Sequence, residues 1–428
     1  GATAAEIKDY LNLEFSKYEA LYGIKPKETS RESVRLQVIL DTAYQKTGKQ
    51  VVVLIDEYDS PLQHSWKTPE HKGCTEVYRS VFSVLKLKGN VLRFVFITGI
   101  TKFTQISLFS VLNHLTNISF LPQFAPLCGI TEEEMTVNFA PELEALADKM
   151  ECSIEEAHDK LKTYYDGYHF SDENMTDIYN PFSLLNALSQ LRLRNYWISS
   201  GATSMLNKFV NNMELRLHDF EDCYIDKDTL ETSDVIEGGA ELFLYQTGYL
   251  TIKGFDEDGY SLGFPNEEVR KALYKAVLPA LTQKDITDIV SIQSKLMHSL
   301  NNGNLEEAKL SMKSLISNVP YSNKKLASMD MEERYRLIIS TILNAIGCQV
   351  EVEHMLSTGR IDIVASTSRF IYVMELKLSN NGGLEAAEKQ IISNGYLKPF
   401  LADGRKVIGL AVELDDMGKG LIDWKEVK

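Results

Sequence analysis

The chain has 428 residues, 44% of them apolar, with 45 Lys and Arg against 60 Asp and Glu for a formal net charge of −15. That length exceeds one ordinary core and predicts two or three globular domains, while the lack of any run near ~20 apolar residues excludes a membrane-spanning helix. Cysteines at 74, 128, 152, 223 and 348 show no CxxC or paired Cys/His spacing, which argues against zinc and against a disulfide framework.

A cytoplasmic protein in a reducing compartment is expected. The acidity opposes a nucleic-acid partner, because non-specific phosphate affinity comes from basic surface. From Met329 onward there are 12 Lys/Arg against 15 Asp/Glu, so most of the negative charge lies upstream. The opening GATAAEIKDY carries no basic-then-apolar leader and starts at Gly1, which suggests a trimmed or mature fragment.

Leu36, Ile39, Leu40 and Ala43 recur at helical spacing within residues 31–46, and VVVLIDEYDS from Val51 opens with a β-branched run. Helical residues 74–88 precede a second such run, VLRFVFITGI at 91–100. Strand and helix alternate as in a parallel α/β sheet, predicting a domain over 1–140. Asp56 and Glu57 follow the first strand in the form of a Walker B motif, where Asp56 would hold Mg²⁺ through water and Glu57 would polarise an attacking water. The alternative is an acidic pair capping a turn before Pro61. No GxxxxGK[ST] loop occurs; Thr47-Gly48-Lys49-Gln50 lacks its first Gly and its Ser/Thr, and precedes a strand.

Residues 141–325 are mainly helical in pattern, interrupted by YYDGYHFSD at 164–172 and YNPFSLLNAL at 179–188. LTIKGFDEDGYSLGF at 250–264 places a DG turn between alternating segments, a hairpin pattern. With its flanking helices it could form a winged helix near 235–280, or it could only seal a helical domain. His169 reads as a packed, hydrogen-bonded histidine and the aromatics around it as core. NVPYSNKKLAS at 318–328 has linker composition and sets a boundary before a third domain over 326–428.

In MEERYRLIISTILNAIG the apolar residues Tyr335, Ile338, Ile339, Ile342, Leu343 and Ile346 predict an amphipathic helix ending at Gly347, with Glu332 on the edge of its buried stripe. A strand at 349–354 follows, then RIDIVAS (360–366) and FIYVMELKL (370–378), which should pair as a hairpin. A turn centred between Ser368 and Arg369 sets Asp362 opposite Glu375, and period-two alternation puts Lys377 on their face. Ile361, Ile363, Tyr372, Met374 and Leu376 would take the other face. Opposed carboxylates repel, so a divalent cation held by Asp362 and Glu375 is expected; oxygen ligands plus water suit Mg²⁺ or Mn²⁺. Lys377 would orient water or offset phosphate charge. The structural alternative is an ordinary Glu375–Lys377 surface pair beside a solvated Asp362.

GRIDIVAS, YVMELKL, a helix containing EKQIISNGYLKPF and the strand KVIGLAVE together resemble the PD-(D/E)XK nuclease superfamily, more narrowly the nuclease-like C-terminal domain of bacterial AAA-ATPase-like proteins. The resemblance implies an α/β/α restriction-endonuclease-like fold and a metal-dependent nuclease acting on DNA or RNA. It assigns Asp362 to the first acidic position, Glu375 and Lys377 to the ExK positions, Glu332 to the acidic residue of the first helix, and Gln390 and Tyr396 to the QIxxxGY segment. Ile361 replaces the proline of the motif. FVFITGITKF, containing Thr98, resembles the sensor strand of the ATPase-like family; LCGITEEEM, YYDGYHFS, YNPFSLLNAL, YWISSG and LYQTGYLTIKG extend the likeness. Asp56, Glu57 and Thr98 would then bind ATP only in a parent protein possessing the phosphate loop. This chain reads as a fragment starting after that loop and is expected not to hydrolyse ATP. Two rival readings are a non-cleaving switch that binds nucleic acid or a partner, and an ATP-driven machine with a C-terminal docking module.

Overall fold

The computed structural model describes residues 3–25, 31–66, 68–100, 114–197, 206, 223–232, 239–282, 286–317 and 330–427. The suspected linker at 318–328, residues 101–103 of the sensor-like stretch and 198–201 of YWISSG lie outside them. In chain order the strands are β1 (Val51–Ile55), β2 (Leu92–Ile97), β3 (Ile130–Thr131), β4 (Ile178–Tyr179), β5 (Cys223–Asp226), β6 (Thr251–Phe255), β7 (Gly259–Gly263), β8 (Gln349–Leu356), β9 (Gly359–Ser366), β10 (Phe370–Leu378), β11 (Lys406–Leu414) and β12 (Leu421–Val427).

The residues gather into two compact units, one of Gly1–Cys128, His169–Thr176 and Tyr224–Leu262, the other of Gly129–Tyr168, Asp177–Cys223 and Gly263–Lys428. These cut across the consecutive division 1–140, 141–325 and 326–428. The hairpin of the suspected winged helix falls in the first unit and the helix after it, Glu267–Thr282, in the second.

In the first unit β1 and β2 pair in parallel, from Val52↔Phe94 to Ile55↔Ile97. The helix Glu32–Thr47 stops at Gly48, whose φ of 65° is a conformation glycine adopts without Cβ strain. Val53, Ile55, Val95 and Ile97 pack against Phe15, Ile39, Val81, Phe82 and Leu85, so helices on one side bury one face of the pair. A second sheet has the order β5-β7-β6. Its β6–β7 turn is organised by the Asp256 carboxylate, which accepts the amides of Asp258 and Gly259 at 2.9 Å each. His169 is buried; its ring Nδ1 lies 2.8 Å from the Ile252 carbonyl and its amide donates to Thr251 Oγ1 at 2.7 Å.

The second unit holds a five-stranded sheet, order β12-β11-β10-β9-β8. Only β10 and β11 run parallel, and the crossover a parallel pair requires is supplied by the helix Gly383–Asn394. Ala387, Ile391 and Tyr396 bury against Val364, Ile371, Val373 and Ala411. Helices from before the suspected boundary complete this unit: Tyr372 Oη donates to the Leu300 carbonyl at 2.6 Å and Trp424 Nε1 to that of Leu305 at 3.2 Å.

The helix Met331–Ile346 ends at Gly347 with φ 97°, where the pattern placed its stop. It is not amphipathic in burial. Ser340, Thr341 and Asn344, the polar residues of the supposed outer stripe, are buried because the helix Glu267–Thr282 packs on it too. Ser340 and Thr341 return their hydroxyls to the Leu337 carbonyl at 3.0 and 2.7 Å, and Asn344 Oδ1 accepts from Arg270, so the burial leaves these groups paired.

Candidate active site

The β9–β10 ladder runs Ser366↔Ile371, Ala365↔Tyr372, Val364↔Val373 and Ile363↔Met374, all centred between Ser368 and Arg369. In that register Asp362 and Glu375 form the next pair, where hydrogen bonding between the strands stops. The Leu376 amide, which the register aims at Ile361, instead donates to Asp362 Oδ2 at 2.8 Å. The β8–β9 ladder also skips this point: Val352 pairs with Ile363 and His354 with Ile361, but Glu353, opposite Asp362, takes φ 55° and makes no ladder pair. Both neighbouring strands therefore part from β9 at Asp362.

This break corrects one expectation. Strict alternation placed Ile361 with Ile363 on one face; Ile361, next to the skipped Glu353–Asp362 position, instead packs in the cluster of Val364, Ile371 and Val373.

Asp362 and Glu375 are both buried, at 5% and 1% exposure. Asp362 Oδ1 accepts from Arg336 Nη1 at 3.1 Å. Glu375 Oε1 accepts from Lys377 Nζ at 3.0 Å, whereas its Oε2 is buried with no hydrogen-bond partner. Burial, and then the neighbouring charge of Asp362, push the Glu375 carboxyl well above the usual carboxylate range, against the pull of Lys377. Lys377 also faces Glu332 Oε1 at 3.6 Å. Burial works against its charge, but Glu375, Asp362 and Glu332 outweigh that effect and hold its pKa above the ordinary lysine value, so it is protonated at neutral pH. Burial raises the Glu332 carboxyl, with Lys377 opposing.

Gln390 does not touch this group of charges. Its Nε2 donates to Tyr396 Oη at 3.2 Å, and Tyr396 Oη donates to the Arg360 carbonyl at 3.0 Å, so the pair fastens the Gly383–Asn394 helix to β9 two residues from Asp362. Three residues absent from the sequence-based set also belong here: Arg336, Glu353 and Arg360. Arg336 bridges Asp362 Oδ1 and Glu353 Oε1, the latter at 2.9 Å from Nη2, and Arg360 Nη1 meets the same Glu353 oxygen at 3.1 Å. Arg336 lies four residues after Glu332, one helical turn along the same face, and that spacing is the signal that finds it.

The donor set fits a hard divalent cation. Oxygen ligands, a buried carboxylate oxygen lacking a partner and opposed negative charges are what such an ion would satisfy. Among the described residues no group of three or more His, Cys, Asp or Glu is disposed as a metal cage. Two carboxylates plus water remain sufficient for Mg²⁺, which commonly keeps several waters.

In the first unit, Asp56 and Glu57 are exposed at the end of β1. Asp56 Oδ1 accepts the Glu57 amide at 2.9 Å and the Thr98 hydroxyl, and Thr98 extends the parallel ladder by donating its amide to the Ile55 carbonyl at 2.9 Å. Asp56 and Thr98 are thus neighbours at the same ends of adjacent strands, and Glu57 takes a left-handed φ of 50°.

Residues 330–424 match the PD-(D/E)XK nuclease superfamily. Residues 2–109 match a family described as predicted AAA-ATPase. The uncharacterized protein in the vnfD 5′ region of Azotobacter chroococcum mcd 1 is 28% identical over 405 residues, spanning 92% of this chain and 75% of the relative. No solved structure matches the chain. The nuclease-superfamily segment contains Glu332, Asp362, Glu375, Lys377 and Gln390, and the ATPase-like segment contains Asp56, Glu57 and Thr98. Among the described residues no helix is long and apolar enough to cross a membrane.

Proposed function

We propose that the C-terminal segment hydrolyses phosphodiester bonds of DNA or RNA with Mg²⁺ or Mn²⁺, held by Asp362 and Glu375. The observation that carries this reading is the buried Glu375 Oε2 without a partner, in register with Asp362 and two residues from a protonated lysine. A divalent cation bound there would supply Lewis acidity, acidifying a bound water and offsetting charge on phosphoryl oxygens. Lys377, being protonated, serves as a donor that orients water or a phosphoryl oxygen. Glu332 anchors that ammonium from the first helix. Gln390 acts through Tyr396, keeping β9 and its Asp362 in place. The ATPase-like segment regulates this activity, with Asp56, Glu57 and Thr98 forming part of a nucleotide site in a protein that also has the phosphate loop.

A cleavage assay on single- and double-stranded DNA and RNA with Mg²⁺ or Mn²⁺ tests the reading. Asp362→Ala and Lys377→Ala should each lose at least about 100-fold. Equal activity in variants and wild type would overturn the site assignment. Calorimetric Mn²⁺ binding that depends on Glu375, without cleavage of any substrate, would favour a non-cleaving switch instead.

A further inference from the structure

The four carboxylate oxygens of Asp362 and Glu375 are unequally committed. Asp362 Oδ2 takes the Leu376 amide at 2.8 Å, Asp362 Oδ1 takes Arg336 Nη1 at 3.1 Å, and Glu375 Oε1 takes Lys377 Nζ at 3.0 Å. Glu375 Oε2 alone has none. Arg336 is held there from behind. Its side chain is 13% exposed, its Nη2 is tied to Glu353 Oε1 at 2.9 Å, and Glu353 adopts its left-handed backbone at the one skipped position of the β8–β9 ladder. A non-glycine residue in that conformation persists only where its surroundings determine it. A guanidinium stays charged at any pH the fold experiences.

We infer that Arg336 stands in for a second cation at Asp362, so that this site takes a single divalent ion. The inference rests on the nuclease-site reading and adds the number of ions that site accepts. Charge balance leads to the same count. With an ion bound, which requires its carboxylates ionised, Asp362, Glu375 and Glu332 contribute three negative charges, and Arg336 and Lys377 two positive ones. Glu353 and Arg360 offset one another. The remaining single negative charge and the one on a phosphodiester link are together neutralised by one divalent cation. A second would leave two uncompensated positive charges in a buried setting, beside a guanidinium that cannot lose its proton. Arg336 is a positioning residue here: it orients Asp362 and fills the side of it that a second ion would need.

Mn²⁺ binding to the full chain, counted by electron paramagnetic resonance of free Mn²⁺ and by calorimetry, tests this, with Glu375→Gln as the blank for ions on other surface carboxylates. The difference between wild type and that blank should be one Mn²⁺ per chain. A difference of two overturns the inference while leaving the nuclease-site reading standing; a difference of zero removes that reading as well. Arg336→Met, which opens Oδ1, should raise the difference to two, whereas Arg336→Lys, which keeps the charge, should leave it at one. A folded Arg336→Met protein that still binds one ion assigns the limit to something other than Arg336 and overturns its role. If Arg336→Met fails to fold, Arg336→Gln, which also removes the charge, takes its place with the same two outcomes.

Discussion

Asp362 and Glu375 face each other across the opening end of the β9–β10 hairpin, yet Asp362 has a partner on both oxygens and Glu375 on only one. The asymmetry separates stability from function. An ionised Glu375 is disfavoured by burial and by Asp362, so removing its charge should stabilise the protein when no divalent cation is present. Glu375→Gln is expected to gain on the order of 1 kcal/mol at pH 8, since a buried polar group left unsatisfied costs about 1 to 3. The gain should shrink as pH falls and the wild-type carboxyl takes up its proton. Adding Mg²⁺ should raise the melting temperature of wild type and leave the variant unmoved, because only a bound ligand shifts the equilibrium. Thermal unfolding with and without Mg²⁺ measures both effects, and a variant less stable than wild type at pH 8 would contradict the first.

Asp166, in the YYDGYHFS stretch, gives the second unit a pH-dependent stability. It is 2% exposed, and Lys162 Nζ stands 4.0 Å away. Burial pushes its pKa up to about 6 from 3.8, with Asp177 and Glu132 adding to the rise and the Gly167 amide and Lys162 opposing it. The folded state therefore prefers the protonated form. Its contribution to stability is fully present below pH 3.8 and is lost as pH rises through about 6. Asp166→Asn should match wild type near pH 4 and exceed it at pH 8 by on the order of 1 kcal/mol once solvent screening is allowed for. Urea unfolding across that range checks it; parallel curves at all pH values would refute the assignment to Asp166.

The sequence carried the hairpin register because apolar alternation and a two-residue turn leave little freedom: Ser368 and Arg369 set the centre, and the pairs from Ile363 to Ser366 obey it. Alternation fails two residues beyond, at Ile361, and nothing in the composition of QVEVEHML reveals that Glu353 leaves the ladder. The Met331–Ile346 helix was legible in extent but not in burial. Ser340, Thr341 and Asn344 look solvent-facing until the helix Glu267–Thr282, more than 50 residues earlier, covers them. Arg336 is hidden in the sequence for the opposite reason. A charged residue on a helix reads as solvated, and only the fold brings it against the buried Asp362 and the half-exposed Glu353. The alternation of strand and helix in residues 31–97 was plain because β1 and β2 are short apolar runs flanked by helices.

Gly359 and Tyr396 make a close contact that tolerates no side chain. A Cβ at Gly359 would lie 2.7 Å from Tyr396 Oη, and its φ of 152° favours glycine. The hydroxyl cannot retreat, because it also accepts from Gln390 and Asn394 at 3.2 and 3.1 Å and donates to the Arg360 carbonyl. Gly359→Ala should cost about 2 kcal/mol or more, combining strain and overpacking. Tyr396→Phe alone should cost about 1 to 3 kcal/mol for the hydrogen bonds it leaves unmade. The double variant should fall short of the sum, because removing the hydroxyl also removes the clash. Denaturation midpoints of the four proteins form the cycle, and strict additivity would show that the contact is relieved by some other movement.

Nucleic-acid affinity should be weakly salt-dependent despite the proposed substrate. Counterion release scales with the number of phosphates neutralised, and a protein making 6 to 10 phosphate contacts loses roughly 10³ to 10⁵ in affinity between 50 and 200 mM salt. Around the candidate site Lys377 and Arg336 are already engaged by carboxylates, and Arg360, 51% exposed, shares Glu353 with Arg336. The chain as a whole carries a net charge of −15, which opposes a large phosphate-contact surface. Binding of a labelled oligonucleotide to the Lys377→Ala protein in the absence of divalent ions should give a slope of log K against log salt between about −1 and −3. Fluorescence anisotropy over 50 to ~200 mM salt provides the measurement. A slope steeper than about −5 would place the main contact surface away from this site, on cations that the Asp362 constellation does not include.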